Sequence, residues 1–242
     1  MATAAKTLLI DGKPVSAEAG TSLLQAAREC GARIPTLCHL EGVDDMGACR
    51  LCLVEVKGSA KLLPACTTRV HEGMEVTTDS ERLRRYRRMI LELLFAERNH
   101  VCAVCVANGN CELQTLAYEA GMDHVRFAYT SPAWGVDLTH PTLGMDHNRC
   151  ILCTRCVRAC WDIEGAGTKS VAGRGAQSKI INDLNAPWGE SESCTSCGKC
   201  VLSCPTGALF HQGVTVGESV RDRAKLEYIV NAREKKQWLV SG

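Results

Sequence analysis

The cysteines constrain this chain more than any other residue type. The sequence has 242 residues and sixteen cysteines, and eight of those cysteines form two copies of the pattern C-x2-C-x2-C-x3-C. The first copy comprises Cys150, Cys153, Cys156 and Cys160, and the second comprises Cys194, Cys197, Cys200 and Cys204. Cysteines spaced this closely direct their thiols to one point, which suits metal ligation better than a framework of disulfides.

The repeated run is the ligand spacing of two-cluster ferredoxins, in which the fourth cysteine of each run ligates the other [4Fe–4S] cluster. It therefore predicts two crossed ligand sets and two neighbouring redox centres. One set is Cys150, Cys153, Cys156 and Cys204, and the other is Cys194, Cys197, Cys200 and Cys160. Zinc is the alternative, although zinc sites commonly use two separated C-x2-C pairs instead of three close cysteines and a distant fourth.

The composition favours small domains built around metal over one large apolar core. Eleven aromatic residues are few for this length, and metal ligation can replace missing hydrophobic burial. The net charge of +1 indicates neither a nucleic-acid partner nor an anionic membrane surface. No apolar run approaches the roughly 20 residues of a membrane span, and the apolar stretch at the N-terminus is too short for a signal peptide. We therefore expect a cytoplasmic protein without a transmembrane segment.

The first 80 residues have the pattern of a small α+β unit. Strands are expected at residues 6–10, near Val15 and at residues 51–56, 61–65 and 74–78. A helix capped by Thr21 or Ser22 is expected to end at about Cys30. Cys30 is the one cysteine outside every motif, and helical spacing puts it on the apolar face, so we interpret it as a packing residue.

Four further cysteines lie in this unit with the spacing C-x10-C-x2-C-x13-C. They are Cys38, Cys49, Cys52 and Cys66. Four thiolates in a small β-rich domain suit a [2Fe–2S] cluster, and zinc is again the alternative. Gly47 and Ala48 precede Cys49, and such small residues allow backbone N–H groups to approach cluster sulfides.

A third group follows directly after a helix that we predict over residues 80–99. It comprises Cys102, Cys105 and Cys111, with His100 just upstream. Three cysteines need a fourth ligand, and an imidazole can replace a thiolate on iron. From the residues alone, His100 is equally well interpreted as a ligand or as a structural residue. The other histidines show no ligand spacing among themselves: His39, His71, His124, His140, His147 and His211.

Three other segments have recognisable patterns. Five arginines between positions 82 and 88 form either a solvated basic stretch or a docking face for an acidic partner. The segment between the two cysteine runs, residues 161–193, predicts a β-hairpin around Gly173-Arg174-Gly175. Residues 216–242 are expected to form a charged helical tail. No dinucleotide fingerprint or phosphate-binding loop is present in the sequence.

The order of the motifs resembles that of a known family. The first cysteine group resembles the N-terminal ferredoxin-like domain of the large iron–sulfur subunit of respiratory complex I and of its hydrogenase relatives. Those proteins carry a motif of one histidine and three cysteines after a helix, with H-x3-C spacing where this chain has H-x-C. Residues 97–102, 111–114 and 121–124 closely resemble the HoxU-type subunits of cyanobacterial bidirectional, NAD(P)-linked [NiFe] hydrogenases. Iron-only hydrogenases and the complex I subunit continue into a further large domain, whereas this chain ends about forty residues after Cys204.

The resemblance covers residues 5–215 and implies an α+β protein with three cluster domains. Residues 1–80 are expected to form a β-grasp [2Fe–2S] ferredoxin domain, residues 81–125 a small helical [4Fe–4S] domain, and residues 126–215 a bacterial-type twin [4Fe–4S] ferredoxin domain. The family implies an electron-transfer subunit with one [2Fe–2S] and three [4Fe–4S] clusters, with His100 as a ligand. It implies no substrate-binding active site in the chain itself.

The resemblance also implies partners. These are a flavin-containing diaphorase subunit that binds NAD(P) and the small and large subunits of a [NiFe] hydrogenase, with ferredoxin or flavodoxin as a further candidate. Two other hypotheses stay open. One is an iron–sulfur subunit of another NAD-linked complex, such as a formate dehydrogenase or a complex I-like enzyme. The other is a freely diffusing multi-cluster ferredoxin, which the near-neutral charge of the chain disfavours.

Overall fold

The computed structural model describes residues 5–130, 132 and 134–218. These residues form two compact units. The first contains residues 5–39, 45–92 and 116–123, and the second contains residues 40–44, 93–115 and 124–218. The strands are β1 (Ala5–Ile10), β2 (Lys13–Glu18), β3 (Leu53–Val56), β4 (Leu63–Pro64), β5 (Glu75–Thr77), β6 (Val136–Asp137), β7 (Leu143–Asp146), β8 (Lys169–Ala172), β9 (Lys179–Asn182) and β10 (Leu209–His211). The α-helices are α1 (Leu23–Glu29), α2 (Glu81–Glu97), α3 (Glu112–Glu119), α4 (Arg155–Arg158) and α5 (Lys199–Ser203).

A five-stranded mixed sheet forms the body of the first unit, with strand order β2-β1-β5-β3-β4. Strand β1 pairs antiparallel with β2 and parallel with β5, and β3 lies antiparallel to β5 and β4. Side chains alternate across β1, so Leu8 and Ile10 are buried while Leu9 is 39% exposed. This is the β-grasp arrangement of the predicted α+β fold class.

Helix α1 packs its apolar face into the core of this unit. The hydroxyl of Ser22 accepts a hydrogen bond from the backbone N–H of Gln25 at 3.2 Å, and the helix ends at Cys30. Both ends agree with the sequence, because a serine N-cap satisfies a free N–H group of the first turn. Leu23 and Leu24 are buried in the core, and Cys30 is partly buried against it, consistent with a packing residue.

Helix α2 begins after Ser80, whose hydroxyl accepts a hydrogen bond from the backbone N–H of Leu83 at 3.2 Å. Within its arginine group, Arg87 is buried. Its guanidinium donates to the carbonyls of Leu51, Leu53 and Thr78 at 3.2, 2.8 and 2.8 Å. Arg87 therefore joins the helix to the sheet and belongs neither to a solvated stretch nor to a docking face. Other arginines of the group form ion pairs within the unit.

The second unit contains two small antiparallel sheets. One has the strand order β10-β7-β6, and the other is the hairpin β8–β9. The hairpin is paired from Lys169↔Asn182 to Ala172↔Lys179, which confirms the prediction around Gly173. Helices α4 and α5 each lie within one cysteine run, and both pack against a π-helical segment, Ala159–Glu164.

The predicted helical tail lies outside the described residues, except for one turn of 3₁₀ helix at Val216–Glu218. Within the described residues, no helix combines the length and the hydropathy that crossing a membrane requires.

Candidate metal centres

Four cysteines from both copies of the repeated pattern surround one cavity in the second unit. Cys150, Cys153, Cys156 and Cys204 line it, together with apolar neighbours such as Met145. The empty volume is about 310 Å³, and all four cysteines are buried. The fold thus brings together the first of the two crossed sets that the spacing predicts.

The second crossed set surrounds another cavity, with an empty volume of about 330 Å³. It is lined by Cys160, Cys194, Cys197 and Cys200. Lys169 and Trp188 complete the lining, and the indole N–H of Trp188 donates to Sγ of Cys194 at 3.3 Å. Cys197 is exposed, whereas no member of the first set is. This cavity therefore lies nearer to solvent.

One helical turn connects the two sets in each copy of the pattern. Cys156 and Cys160 are four residues apart on α4 and the π-helical segment, and Cys200 and Cys204 are four residues apart on α5 and its C-cap. Four helical residues rise only about 6 Å. The two cavities are therefore neighbours, as electron transfer between two centres requires.

Left-handed backbone conformations recur at equivalent positions of the two copies. In the first copy Leu152 and Thr154 have φ angles of 52° and 58°, and in the second Ser196 and Gly198 have 56° and 70°. A non-glycine residue in this region costs about 1–2 kcal/mol. These left-handed residues lie between successive cysteines in both copies, so each loop turns around its cavity. In the first copy, the backbone N–H of Leu152 donates to Sγ of Cys150 at 3.4 Å.

A third cavity, of about 280 Å³, is lined by the histidine and the three cysteines of the third group. These are His100, Cys102, Cys105 and Cys111. Within the described part of the chain, the buried Nε2 of His100 has no hydrogen-bond partner. The imidazole also hydrogen-bonds the backbone of Leu94. Metal-bound histidines are typically oriented by such a bond at the other ring nitrogen, so this geometry favours the ligand interpretation of His100.

The surroundings of His100 also favour a neutral imidazole. Burial, and after it the charge of Arg149, lowers the pKa of His100 to about 4. A metal-ligating imidazole is neutral. On another side of the cavity, an added Cβ at Gly207 would overlap Sγ of Cys105. Sequence analysis missed Gly207, and its place three residues after Cys204 is the only local signal.

In the first unit, the four cysteines form two pairs of thiols, and all four are buried. Sγ of Cys52 lies 3.4 Å from Sγ of Cys66, and Cys38 hydrogen-bonds Cys49. The backbone N–H of Leu37 donates to Sγ of Cys49 at 3.3 Å. Two thiol pairs supply two ligands to each of two irons, which fits the four-thiolate coordination of a [2Fe–2S] cluster.

Burial raises the pKa of several thiols in the second unit, among them that of Cys156. The values are about 11 for Cys111 and Cys150 and about 12 for Cys153 and Cys200. In the first unit, the hydrogen bond between Cys52 and Cys66 lowers the pKa of Cys52 to about 7. Thiols with pKa values of 11–12 are protonated at neutral pH. Binding of a cationic metal centre must therefore release protons from the second unit.

Sequence analysis did not identify the buried cations of the second unit. Arg98, Arg155, Arg158 and Lys169 are all at least nine-tenths buried. Arg155 pairs with Glu112 at 2.9 Å, and Arg158 donates to the backbone carbonyl of Cys153 at 3.4 Å. Arginine beside Cys156 is a recognisable local signal, whereas nothing in the sequence distinguishes Lys169 from an exposed lysine. Such cations offset negative charge that collects on thiolate ligands.

The remaining histidines line none of these three cavities. Nδ1 of His140 accepts hydrogen bonds from the backbone N–H groups of Thr142 and Leu143, at 3.2 and 3.1 Å. His39 pairs with Asp45 at 2.8 Å. The exposed histidines are His71, His124 and His211. These positions agree with the absence of ligand spacing among these histidines in the sequence.

The donor sets fit multi-atom groups better than single ions. Among the residues that the structure describes, no three side chains of His, Cys, Asp or Glu converge closely enough to hold one metal ion. A zinc ion needs four donors at roughly 2.0–2.3 Å. Three of the sets instead line a cavity without converging on one point, which suits a cluster with a ligand at each of its irons.

Three family models match successive parts of the chain. Residues 4–81 match a 2Fe-2S iron-sulfur cluster binding domain. Residues 87–126 match the NADH-ubiquinone oxidoreductase-G iron-sulfur binding region. Residues 140–210 match the ferredoxin-like domain of NADH-quinone oxidoreductase subunit 3. Together with the thiol-lined cavities, these matches define an iron–sulfur electron-transfer protein that has both [2Fe–2S] and [4Fe–4S] domains.

One relative is similar to this chain over nearly the whole length of both proteins. The NAD-reducing hydrogenase HoxS subunit gamma of Cupriavidus necator is 35% identical over 228 residues, which cover 93% of this chain and 95% of the relative. The chain belongs to the family of this subunit. The fold also matches a chain in the crystal structure of an NAD⁺-reducing [NiFe]-hydrogenase in the H₂-reduced state. The TM-score is 0.81 at 37% identity, with 88% of this chain and 89% of that chain covered.

Other relatives are much longer proteins. The NADPH-Fe(3+) oxidoreductase subunit alpha of Geobacter sulfurreducens is 39% identical over 204 residues. That match covers 84% of this chain but only 24% of the relative. The family is therefore shared with proteins in which the segment that matches this chain is one part of a larger polypeptide.

Proposed function

We propose that this chain conducts electrons between a flavin-containing NAD(P)-binding subunit and the small and large subunits of a [NiFe] hydrogenase. It does so through one [2Fe–2S] and three [4Fe–4S] clusters, without a substrate site of its own, in the cytoplasm. Its cluster domains are residues 1–80, 81–125 and 126–215, and ferredoxin or flavodoxin is a further candidate partner.

The observation that carries this proposal is the grouping of the predicted ligands. Three cavities are each lined by one complete ligand set, and the remaining four cysteines form two thiol pairs. We assign Cys38, Cys49, Cys52 and Cys66 to the [2Fe–2S] cluster, and His100, Cys102, Cys105 and Cys111 to one [4Fe–4S] cluster. We assign Cys150, Cys153, Cys156 and Cys204 to the second [4Fe–4S] cluster, and Cys194, Cys197, Cys200 and Cys160 to the third.

Each cluster, when bound, accepts and returns one electron at a time, and the chain sets the conditions for that exchange. Burial excludes water from most of the ligands. The N–H groups of Leu152 and Trp188 donate to ligand sulfurs, which stabilises added negative charge. A neutral imidazole from His100 in place of a thiolate raises the potential of its cluster relative to an all-thiolate equivalent.

The names of the relatives support the assigned partners. One relative is an NAD-reducing hydrogenase subunit, and another is the NADP-reducing hydrogenase subunit HndD of Solidesulfovibrio fructosivorans. The matches to oxidoreductase-G and subunit 3 models favour, as a second candidate, an iron–sulfur subunit of another NAD-linked complex. Anaerobic purification through a tag on this chain separates the two. Flavin with nickel and hydrogenase activity supports the first, and flavin without nickel supports the second.

The cluster inventory is tested by iron and sulfide analysis of the anaerobically purified chain. We expect about fourteen irons per chain, since one cluster holds two irons and three hold four each. A value near about six, from one [2Fe–2S] and one [4Fe–4S] cluster, contradicts the twin-cluster assignment. Zinc in place of iron contradicts the whole proposal.

The ligand role of His100 is tested by the variant His100→Ala, with His71→Ala as a control at an exposed histidine. We expect the first variant to alter the EPR signal of one cluster and to leave the other signals intact. The control should retain the wild-type spectrum. Unchanged spectra in His100→Ala return this histidine to a structural role.

A further inference from the structure

Lys169 is a fully buried lysine, with a relative exposure of 1%, at the start of β8. Its ammonium donates to Oδ1 of Asn182 at 2.8 Å and lies 3.6 Å from the centre of the Trp188 ring. Among the described residues, no carboxylate forms an ion pair with it. A buried ammonium normally requires a compensating negative charge, because its desolvation costs several kcal/mol.

The missing negative charge is that of the ligand sets. Lys169 lines the cavity of Cys160, Cys194, Cys197 and Cys200. The other set lies on the opposite neighbour of the same strand. Strand β8, which begins at Lys169, packs against α4, which carries Cys156. Lys169 therefore lies among elements that carry assigned ligands of both crossed sets.

Two neighbours hold the ammonium in this position. Asn182 pairs with Lys169 across the β8–β9 hairpin. Trp188 lies beneath the ammonium, and its indole N–H donates to Cys194. Trp188 also belongs to the same core cluster as Cys156 and Cys200. The arrangement connects the cation, the aromatic ring and the ligand sulfurs in one buried unit.

We propose that Lys169 is the cation that raises the reduction potentials of both twin [4Fe–4S] clusters, and that Asn182 and Trp188 position it between their ligand sets. This inference rests on the ligand assignments of the proposed function. Reduction adds one electron to a cluster that thiolates already make negative. A cation at short distance in a medium of low dielectric constant stabilises the reduced state more than the oxidised state.

The test is an EPR-monitored redox titration of the full, cluster-loaded chain carrying Lys169→Met, which keeps most of the side-chain volume and removes the charge. For both twin clusters we expect the ratio of reduced to oxidised cluster at a fixed potential to fall at least tenfold, which is about 59 mV for one electron. For the [2Fe–2S] cluster, the same ratio should stay within about twofold of its wild-type value, a difference of less than about 0.4 kcal/mol. Lys179→Met is the matched control, since Lys179 lies on the same hairpin and is only partly buried.

Two further variants separate charge from packing. Lys169→Arg keeps the charge and should preserve potentials close to those of the wild type. Asn182→Asp keeps the shape and adds a negative charge beside the ammonium, so both twin-cluster potentials should fall as in Lys169→Met. If Lys169→Met does not retain its clusters, Asn182→Asp tests the effect of the Lys169 charge on the two potentials instead.

The outcomes distinguish this inference from the proposed function. A full iron content with twin-cluster potentials that do not move in Lys169→Met or Asn182→Asp overturns the role of Lys169 alone. A shift of the same size in Lys179→Met overturns it as well. An iron content near about six in the wild type overturns the ligand assignments themselves, and with them the proposed function.

Discussion

The two units of this chain bury cysteine in different proportions. The core cluster of the first unit is built mainly from aliphatic residues of β1, β2 and α1, and it includes the two cysteines Cys52 and Cys66. The core cluster of the second unit has fewer members and includes four cysteines, Cys150, Cys156, Cys200 and Cys204. Apolar burial supplies most of the stability of an ordinary small domain. We therefore expect apolar burial to stabilise most of the first unit and metal ligation to contribute more to the stability of the second.

Removal of the clusters should have the largest effect of any change, and it should affect the two units unequally. We expect chelation under oxidising conditions to abolish hydrogen-exchange protection in β7, α4 and α5, because four members of the core cluster that they share are cysteines assigned as ligands. Strands β1, β3 and β5 should keep most of their protection. Hydrogen exchange resolved by peptide, before and after chelation, measures this. Equal loss in both units would contradict the comparison.

The next largest effect is expected from Gly207→Ala, which adds one methyl group where Sγ of Cys105 lies. A backbone-attached Cβ cannot move away, so the thiol must leave its position. We expect this variant to lose the cluster assigned to His100, which is about four irons per chain. Gly135→Ala is the control, because a Cβ there has no neighbour within 4 Å. Wild-type iron content in Gly207→Ala would show that the side chain of Cys105 can move to accommodate the added methyl group and still hold the cluster.

A substitution in the apolar core of the first unit should lower the stability of that unit and leave the clusters of the second unit in place. Leu24 is 1% exposed, and its replacement by alanine should lower the free energy of unfolding of the first unit by about 2–5 kcal/mol. The twin-cluster EPR signals should be unchanged. Leu9→Ala is the matched control, since Leu9 is 39% exposed on the neighbouring strand and should change stability by about 0.5 kcal/mol or less. Denaturant unfolding monitored by hydrogen exchange measures the change in the free energy of unfolding of the first unit for both variants.

The smallest of the four effects is expected from Arg87→Met. This change removes three hydrogen bonds to backbone carbonyls that α2 supplies to the sheet. A carbonyl oxygen has a second lone pair for another donor, so we expect a total loss of about 1–3 kcal/mol. Arg85→Met, on the exposed side of the same helix, should be close to neutral. If the two variants are equally stable, Arg87 does not join the helix to the sheet in solution.

Local sequence patterns predicted much of this molecule, and the reason is the short range of the interactions involved. The cap of α1 depends on Ser22 and a backbone N–H three residues away. The hairpin β8–β9 depends on the glycines at its turn. Cysteine spacing similarly predicted which cysteines line the same cavity, because a few intervening residues determine how closely their thiols can approach one another.

The sequence by itself determined which residues meet at each centre, since ligand type and spacing restrict both the metal group and the loop that surrounds it. Only the tertiary structure decided which charges lie beside those centres. Lys169 is an ordinary basic residue in the sequence, and it is buried because strands and loops distant in sequence close over it. The electrostatic environment of a charge depends on all groups within several ångströms, however far apart in sequence those groups are. For that reason the grouping of the cysteines was predictable from the sequence and the buried cations beside them were not.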